Sequence, residues 1–243
     1  MQLRGSTALI TGASRRIGRA IAERLADAGC NVALHCRHAD EHAHACRDAC
    51  AARGVRAVTL EASLLDPDAV AALPGLVVAE FGRLDILINN AATFEPMSLA
   101  DFSLDRWQRD LAVNLTAPMI LAHASAAALR SAGGRVINLC DAAAERPFPG
   151  YLSYCTSKAA LESLTRSLAL ALAPEVCVVG VAPGVALWPD PMDSATKERL
   201  LSRIPLGRSG EPSDIAELIH FLLERGDYIT GQILRVDGGR ALR

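Results

Sequence analysis

Three side chains within residues 136–158, VINLCDAAAERPFPGYLSYCTSK, have types and spacing suited to proton transfer. Tyr154 and Lys158 lie four residues apart and share a helix face. A phenol ordinarily titrates near pH 10. A nearby ammonium favours the phenolate and lowers that value, which makes Tyr154 a usable acid at neutral pH. Upstream, the apolar run 136–140 stops at Asp141, so a strand that reads as buried delivers a carboxylate at its end. A partly desolvated carboxyl has a raised pKa and can pass a proton or polarise Tyr154. The plain alternative is that Asp141 caps a turn.

A second constellation follows the first apolar run, in TGASRRIG at residues 11–18. Gly12 permits a tight turn and Gly18 close helix–strand packing, while Ile17 begins the apolar helix face. The following helix aims free N–H groups at the loop, which suits a pyrophosphate. A strand-to-helix turn without a ligand uses the same residues. The second run ends in LHCRHAD, with His35, Arg37 and His38 where NAD-preferring folds place an acid for the ribose 2′-OH. Arg15 reaches across from the first loop. Cations here suit a 2′-phosphate, so NADP(H) is favoured over NAD(H). His42, Cys46 and Cys50 recur at helical spacing, yet no closed ligand set accompanies them, and no metal is expected.

The elements that must position these groups read as apolar runs at 7–11, 31–36, 56–62, 84–89, 135–140, 176–182 and 231–236. Most lack alternation, as strands covered on both faces do. Helical patterns fill 16–28, 66–81, 105–131, 154–173 and 212–223. Strands alternating with helices predict an α/β fold, a doubly wound parallel seven-stranded sheet with helices on both faces. In such a sheet, ligands bind beyond the carboxyl ends of the strands. No composition break marks a linker, so residues 1–243 read as one domain.

The formal charge of −2 gives no reason to expect nucleic acid or an anionic membrane as partner. The seven cysteines are scattered and odd in number, which is no disulfide framework. The beginning of the chain lacks the apolar core of a signal peptide, and the apolar region 167–188 is broken by Pro174, Glu175 and Pro183. A cytoplasmic protein is expected.

In order and spacing, TGASRRIG, LDILINNAA, Asn114 in LAVNLT, YCTSK, VAPG at 181–184 and YITGQILRVDGG at 228–239 resemble the short-chain dehydrogenase/reductase family over nearly the full length. The resemblance implies a Rossmann-type sheet and hydride transfer from a nicotinamide. Tyr154 would donate the proton, Lys158 would bind the nicotinamide ribose and tune the phenol, and Asn114 would help hold a proton-relay water. Asn89, Ala91, Ser63, Pro183 and Gly184 would meet the cofactor. A homotetramer is implied as well.

Departures from the family pattern point further. Asp141 stands where the family usually has serine, Arg16 where it has glycine, and NNAA followed by TFEP, with Phe94, where it has NNAG. These look like the pteridine reductase branch. In that branch the aspartate works with the tyrosine, the phenylalanine stacks the pterin on the nicotinamide, and the loop arginine reaches towards substrate and phosphate. A pterin is flat and electron-poor, and its ring nitrogen must gain a proton as hydride arrives. A serine would instead bond a ketone oxygen. Trp188 either covers the substrate or packs at a subunit contact; Phe94 either stacks or fills the loop. The expected activity is NADPH-dependent pteridine reduction. The alternatives are a carbonyl or 3-oxoacyl reductase of the same family, and a catalytically silent NADPH-binding sensor.

Overall fold

The computed structural model describes residues 1–186 and 193–242. Seven parallel strands form one sheet in the order β3-β2-β1-β4-β5-β6-β7. They are β1 Thr7–Thr11, β2 Asn31–Cys36, β3 Ala57–Glu61, β4 Ile86–Asn89, β5 Arg135–Leu139, β6 Cys177–Pro183 and β7 Ile233–Val236. The unbroken apolar runs have a physical cause. Successive strand side chains point to opposite faces, and both faces are roofed by helices. In β1, Ala8 and Ile10 join the core beneath α1 (Arg16–Asp27) and α8 (Pro212–Arg225), with Ile21, Leu25, Ile215 and Ile219. Leu9, between them, joins the opposite core with Val70, Leu73, Leu121 and Leu168, beneath α3 (Pro67–Phe81), α5 (Ala117–Ala132) and α6 (Leu152–Leu172).

Sequence order reverses direction between β1 and β4. Crossovers leave to opposite faces there, and a crevice opens beyond the strand ends. The loops after β1, β4, β5 and β6 therefore converge on one place.

Two elements differ from expectation. The helix expected over 105–131 is α4 (Leu104–Leu111), a π-helical turn at Ala112–Thr116, and α5. Pro118 explains the break: it carries no N–H, so the Asn114 carbonyl lacks its i+4 donor. An additional helix, α7 (Ser194–Leu201), follows β6; the Asp193 side chain accepts from Thr196 N at 2.8 Å and starts it. The remaining helix, α2 (Glu41–Ala51), turns Ala43, Cys46 and Cys50 inward and leaves His42 and His44 exposed. Among the described residues no group of three His, Cys, Asp or Glu is placed to hold a metal. The run Leu104–Ala132 is long and apolar enough to cross a membrane, with a mean hydropathy of 1.4. Its Ala117, Leu121, Ala122 and Leu129 pack instead into the core over the sheet.

Candidate active site

A cleft of about 810 Å³ opens at the converging loops. Asp141, Tyr154, Lys158 and Phe94 line one part of it; Gly12, Arg15, Arg16, Ile17, Gly18 and Ala91 line another, and Pro183 and Gly184 complete it. Residues far apart in sequence meet here because each sits in the first turn after a strand or at the start of a helix.

Asp141 does two things at once. Its Oδ1 accepts from Ala143 N at 2.7 Å, capping the short 3-10 turn Ala142–Ala144. Its Oδ2 accepts from the Tyr154 hydroxyl at 2.6 Å. The cap leaves the second oxygen to the phenol: one oxygen fixes the carboxyl while the other accepts from Tyr154. Burial pushes the Asp141 carboxyl above the ordinary carboxylate range, against the pull of the Tyr154 and Ala143 hydrogen bonds.

The expectation that Lys158 lowers the Tyr154 pKa is overturned. Burial raises the phenol well above its usual value, and the Asp141 charge and hydrogen bond raise it further. The reason is distance. Asp141 is in contact, whereas Lys158 Nζ lies 5.8 Å from the tyrosine ring centre and donates to Leu139 O at 2.6 Å. Burial lowers the pKa of Lys158 itself. Tyr154 therefore holds its proton tightly and offers it to Asp141 as a hydrogen bond.

Phe94 packs within its loop without being buried. Its ring stacks on Tyr151 at 4.5 Å and 14°, meets Tyr154 edge-on at 4.7 Å, and is still 44% exposed on the cleft. An aromatic slab thus stands beside the acid pair.

Behind this slab lies a buried polar web that the sequence pattern does not reveal. Asn114 Oδ1 accepts from Thr93 N at 2.8 Å, and Asn114 Nδ2 donates to Thr93 O at 3.1 Å and Ser157 Oγ at 2.9 Å. Ser157 donates to Tyr154 O at 2.7 Å. Asp110 accepts from the Thr93 hydroxyl at 2.6 Å and from the Ser153 hydroxyl. The web ties the Phe94 loop to the helix turn carrying Tyr154. The Asn114 side chain is fully engaged in this web, which leaves its backbone carbonyl for the expected water contact.

On the cofactor side the structure makes two corrections. His35 is not a cation facing a phosphate. It is buried, its Nδ1 accepts from Gly12 N at 3.3 Å, and its Nε2 meets Ala62 O at 3.1 Å. Those partners require a neutral ring, and burial lowers its pKa accordingly. Asn89 does not line the cleft; it is buried, with Nδ2 donating to Asn138 Oδ1 at 2.8 Å. Its neighbour Asn90 lines the cleft instead and holds the glycine turn, donating to Thr11 O at 2.8 Å and Gly12 O at 3.0 Å. Arg37, His38 and Ser63 lie outside the cleft on the surface past β2 and β3; His38 stands 3.7 Å from Glu61. Arg15 pairs with Asp40 at 2.6 Å. Arg16 takes a φ of 53°, in the left-handed region where the family's glycine is at ease. Trp188 lies outside the described residues.

The turn fits a dinucleotide's phosphates. The N-cap of α1, Arg15, makes no side-chain capping bond and the first turn holds no acid, so its N–H groups are available to an anion. A Cβ on Gly18 would stand 2.2 Å from Gly12 O, so the turn can close this tightly only with glycine.

Fold and cleft define the class: a Rossmann-type α/β fold with a phosphate-fitting glycine turn and a phenol–carboxyl pair in one cleft. A family model described as enoyl-(acyl carrier protein) reductase matches residues 12–241. The chain belongs to the short-chain dehydrogenase/reductase family. It is 37% identical over 238 residues to the 3-oxoacyl-[acyl-carrier-protein] reductase FabG of Staphylococcus aureus (strain Mu50), covering 96% of this chain and 97% of that one. The 3-oxoacyl-[acyl-carrier-protein] reductase of Synechocystis sp. is 34% identical over 244 residues, covering 99% and 98%. Among solved structures, a blue fluorescent protein from a metagenomic library in complex with NADPH superposes with a TM-score of 0.93 at 35% identity, covering 99% of this chain and 100% of that one. A short-chain dehydrogenase from Burkholderia cenocepacia in complex with NADP gives 0.93 at 38%, covering 99% of each. The Staphylococcus and Synechocystis relatives bear the name of the 3-oxoacyl reductase reading; none of the four is named a pteridine reductase.

Proposed function

We propose that this oxidoreductase uses NADP(H) and reduces a C=N bond of a pterin, with Asp141 and Tyr154 delivering the proton. The observation that carries the reading is the 2.6 Å contact between the Tyr154 hydroxyl and a carboxyl whose pKa burial has raised. The NADPH and NADP held by two structural neighbours support the cofactor, as does the phosphate-fitting turn.

When bound, the cofactor supplies a hydride to the ring carbon. Tyr154 donates its proton to the adjacent ring nitrogen and is reprotonated by the protonated form of Asp141, which burial favours. Ala143 N fixes the carboxyl for this transfer. Lys158, anchored on Leu139 O, keeps donors to spare for the nicotinamide ribose. Phe94 offers its open face to a flat ring, worth about 0.5–1.5 kcal/mol beyond burial.

The second reading, a 3-oxoacyl or other carbonyl reductase, draws its support from the named relatives, which favour it over the pterin reading. Against it, position 141 holds a carboxyl engaged with the Tyr154 hydroxyl where the family usually has a serine to bond a ketone oxygen. The silent-sensor reading has less support, because Tyr154, Lys158 and Asp141 converge on an open cleft. A homotetramer in the cytoplasm completes the proposal, and light scattering tests the assembly.

The deciding experiment follows NADPH oxidation with dihydrobiopterin, dihydrofolate and a 3-oxoacyl thioester in parallel. Turnover of the thioester with none of either pterin rejects the first reading in favour of the second.

A further inference from the structure

We infer that the cleft carries an anion subsite, built from Arg199 and Arg203, that selects a pterin bearing a carboxylate tail. The inference rests on the pterin reading and names the substrate class within it. Both arginines line the cleft. Four residues apart, at and just beyond the last turn of α7 (Ser194–Leu201), they lie on one side of it. Neither forms an ion pair with an acidic side chain among the described residues, in contrast to Arg15 on Asp40. Of the other arginines of the lining, Arg240 is engaged over the Phe148 ring at 5.1 Å, and Arg16 stands in the glycine turn. Asp141 is the one carboxylate among the described lining residues. The acid that feels the Arg199 charge is Asp193, already tied to Thr196 N at 2.8 Å at the start of α7; among the described lining residues this wall of the cleft is cationic.

Topology separates these arginines from the phosphate turn. The turn follows β1, whereas α7 follows β6, and β4 and β5 stand between. At about 4.8 Å per strand spacing, three steps amount to about 14 Å. Asp141 follows β5, the immediate neighbour of β6. The α7 arginines thus follow the strand beside the one that ends at Asp141, not the strand that carries the phosphate turn. A ring seated against Phe94 and Asp141 can direct its substituent along the shared cleft towards them. Two planar guanidinium groups on one side match carboxylates by paired, charge-assisted hydrogen bonds. A neutral polyol substituent gains nothing from them. Dihydrofolate has the predicted tail and dihydrobiopterin lacks it.

The test compares kcat and KM for the two pterins and for NADPH in the wild type, in the double variant Arg199→Ala/Arg203→Ala, and in the double variant Arg199→Lys/Arg203→Lys. The double alanine variant is expected to raise the dihydrofolate KM about tenfold with kcat unchanged, equal to about 1.4 kcal/mol. The KM values for dihydrobiopterin and NADPH are expected to stay within about twofold, with lysine restoring part of the loss. A rise in the NADPH KM of the same size assigns the arginines to the cofactor and overturns the inference. So does an unchanged dihydrofolate KM, while turnover of both pterins leaves the pterin reading standing. Absence of turnover on either pterin by the wild type removes both.

Discussion

Replacing Asp141 by asparagine separates the carboxyl's proton from its shape. Ala143 N–H donates to Oδ1 at 2.7 Å, which fixes the amide oxygen on that side. The amide nitrogen then faces Tyr154, 2.6 Å from the present Oδ2, and donates to the phenol oxygen where the carboxylate accepted. Both contacts survive with one polarity reversed, and the exchangeable proton is lost. With its acid reservoir gone, pterin turnover is expected to fall about 10²–10⁴-fold. The pH profile changes too. The folded-state pKa of Asp141 is raised, chiefly by burial. Its protonated form, and the activity that needs it, is full in the acid range and declines as pH rises through that raised value. The variant loses this limb. Stability has the same sign. The wild type draws stability from the raised pKa at low pH, present below about 4, and loses it as pH rises through the folded value. The melting temperature of Asp141→Asn relative to wild type is therefore expected to climb from acid to neutral pH. NADPH oxidation at a series of pH values, with calorimetry at pH 4 and pH 7.5, checks both. Full turnover with an unaltered alkaline limb would refute proton delivery through Asp141.

Three further outcomes are expected. His35→Leu leaves Gly12 N and Ala62 O without their buried partner; it is expected to cost about 1–3 kcal/mol in denaturant unfolding while the NADPH-to-NADH preference stays as in wild type, and Arg37→Ala is expected to lower that preference. Gly18→Ala brings a methyl to 2.2 Å from Gly12 O; NADPH binding, read by fluorescence titration, is expected to weaken at least tenfold, about 1.4 kcal/mol, and unchanged affinity would show that the turn does not hold the phosphates. Asp110→Ala strands the Thr93 and Ser153 hydroxyls; a loss of about 1–3 kcal/mol per stranded group is expected, together with a higher pterin KM as the Phe94 loop loosens, measured by unfolding and steady-state kinetics.

Much of this protein could be read along the chain. β1 and β2 fall on the apolar runs 7–11 and 31–36, because a strand roofed on both faces is mostly apolar without alternation. The glycine turn and the Tyr154–Lys158 pair are likewise local patterns, fixed by backbone strain at Gly12 and by the rise of a helix. Even the carboxyl–phenol meeting followed from a strand end and a helix start that the fold must bring together. Ionisation did not follow, because it depends on distance and desolvation rather than residue type. Lys158 sits one helical turn from Tyr154, yet burial raises the phenol, and Asp141, thirteen residues away in sequence, is the group in contact and adds to the rise. His35 reads as a surface cation in sequence, and its burial beneath the glycine turn makes it a neutral strut. Asp110, Thr93, Asn114 and Ser153 carry no joint signature, since their bonds span separations that no helical or strand period encodes. Local periodicity chooses the elements; through-space packing chooses which charges meet, and so which protons move.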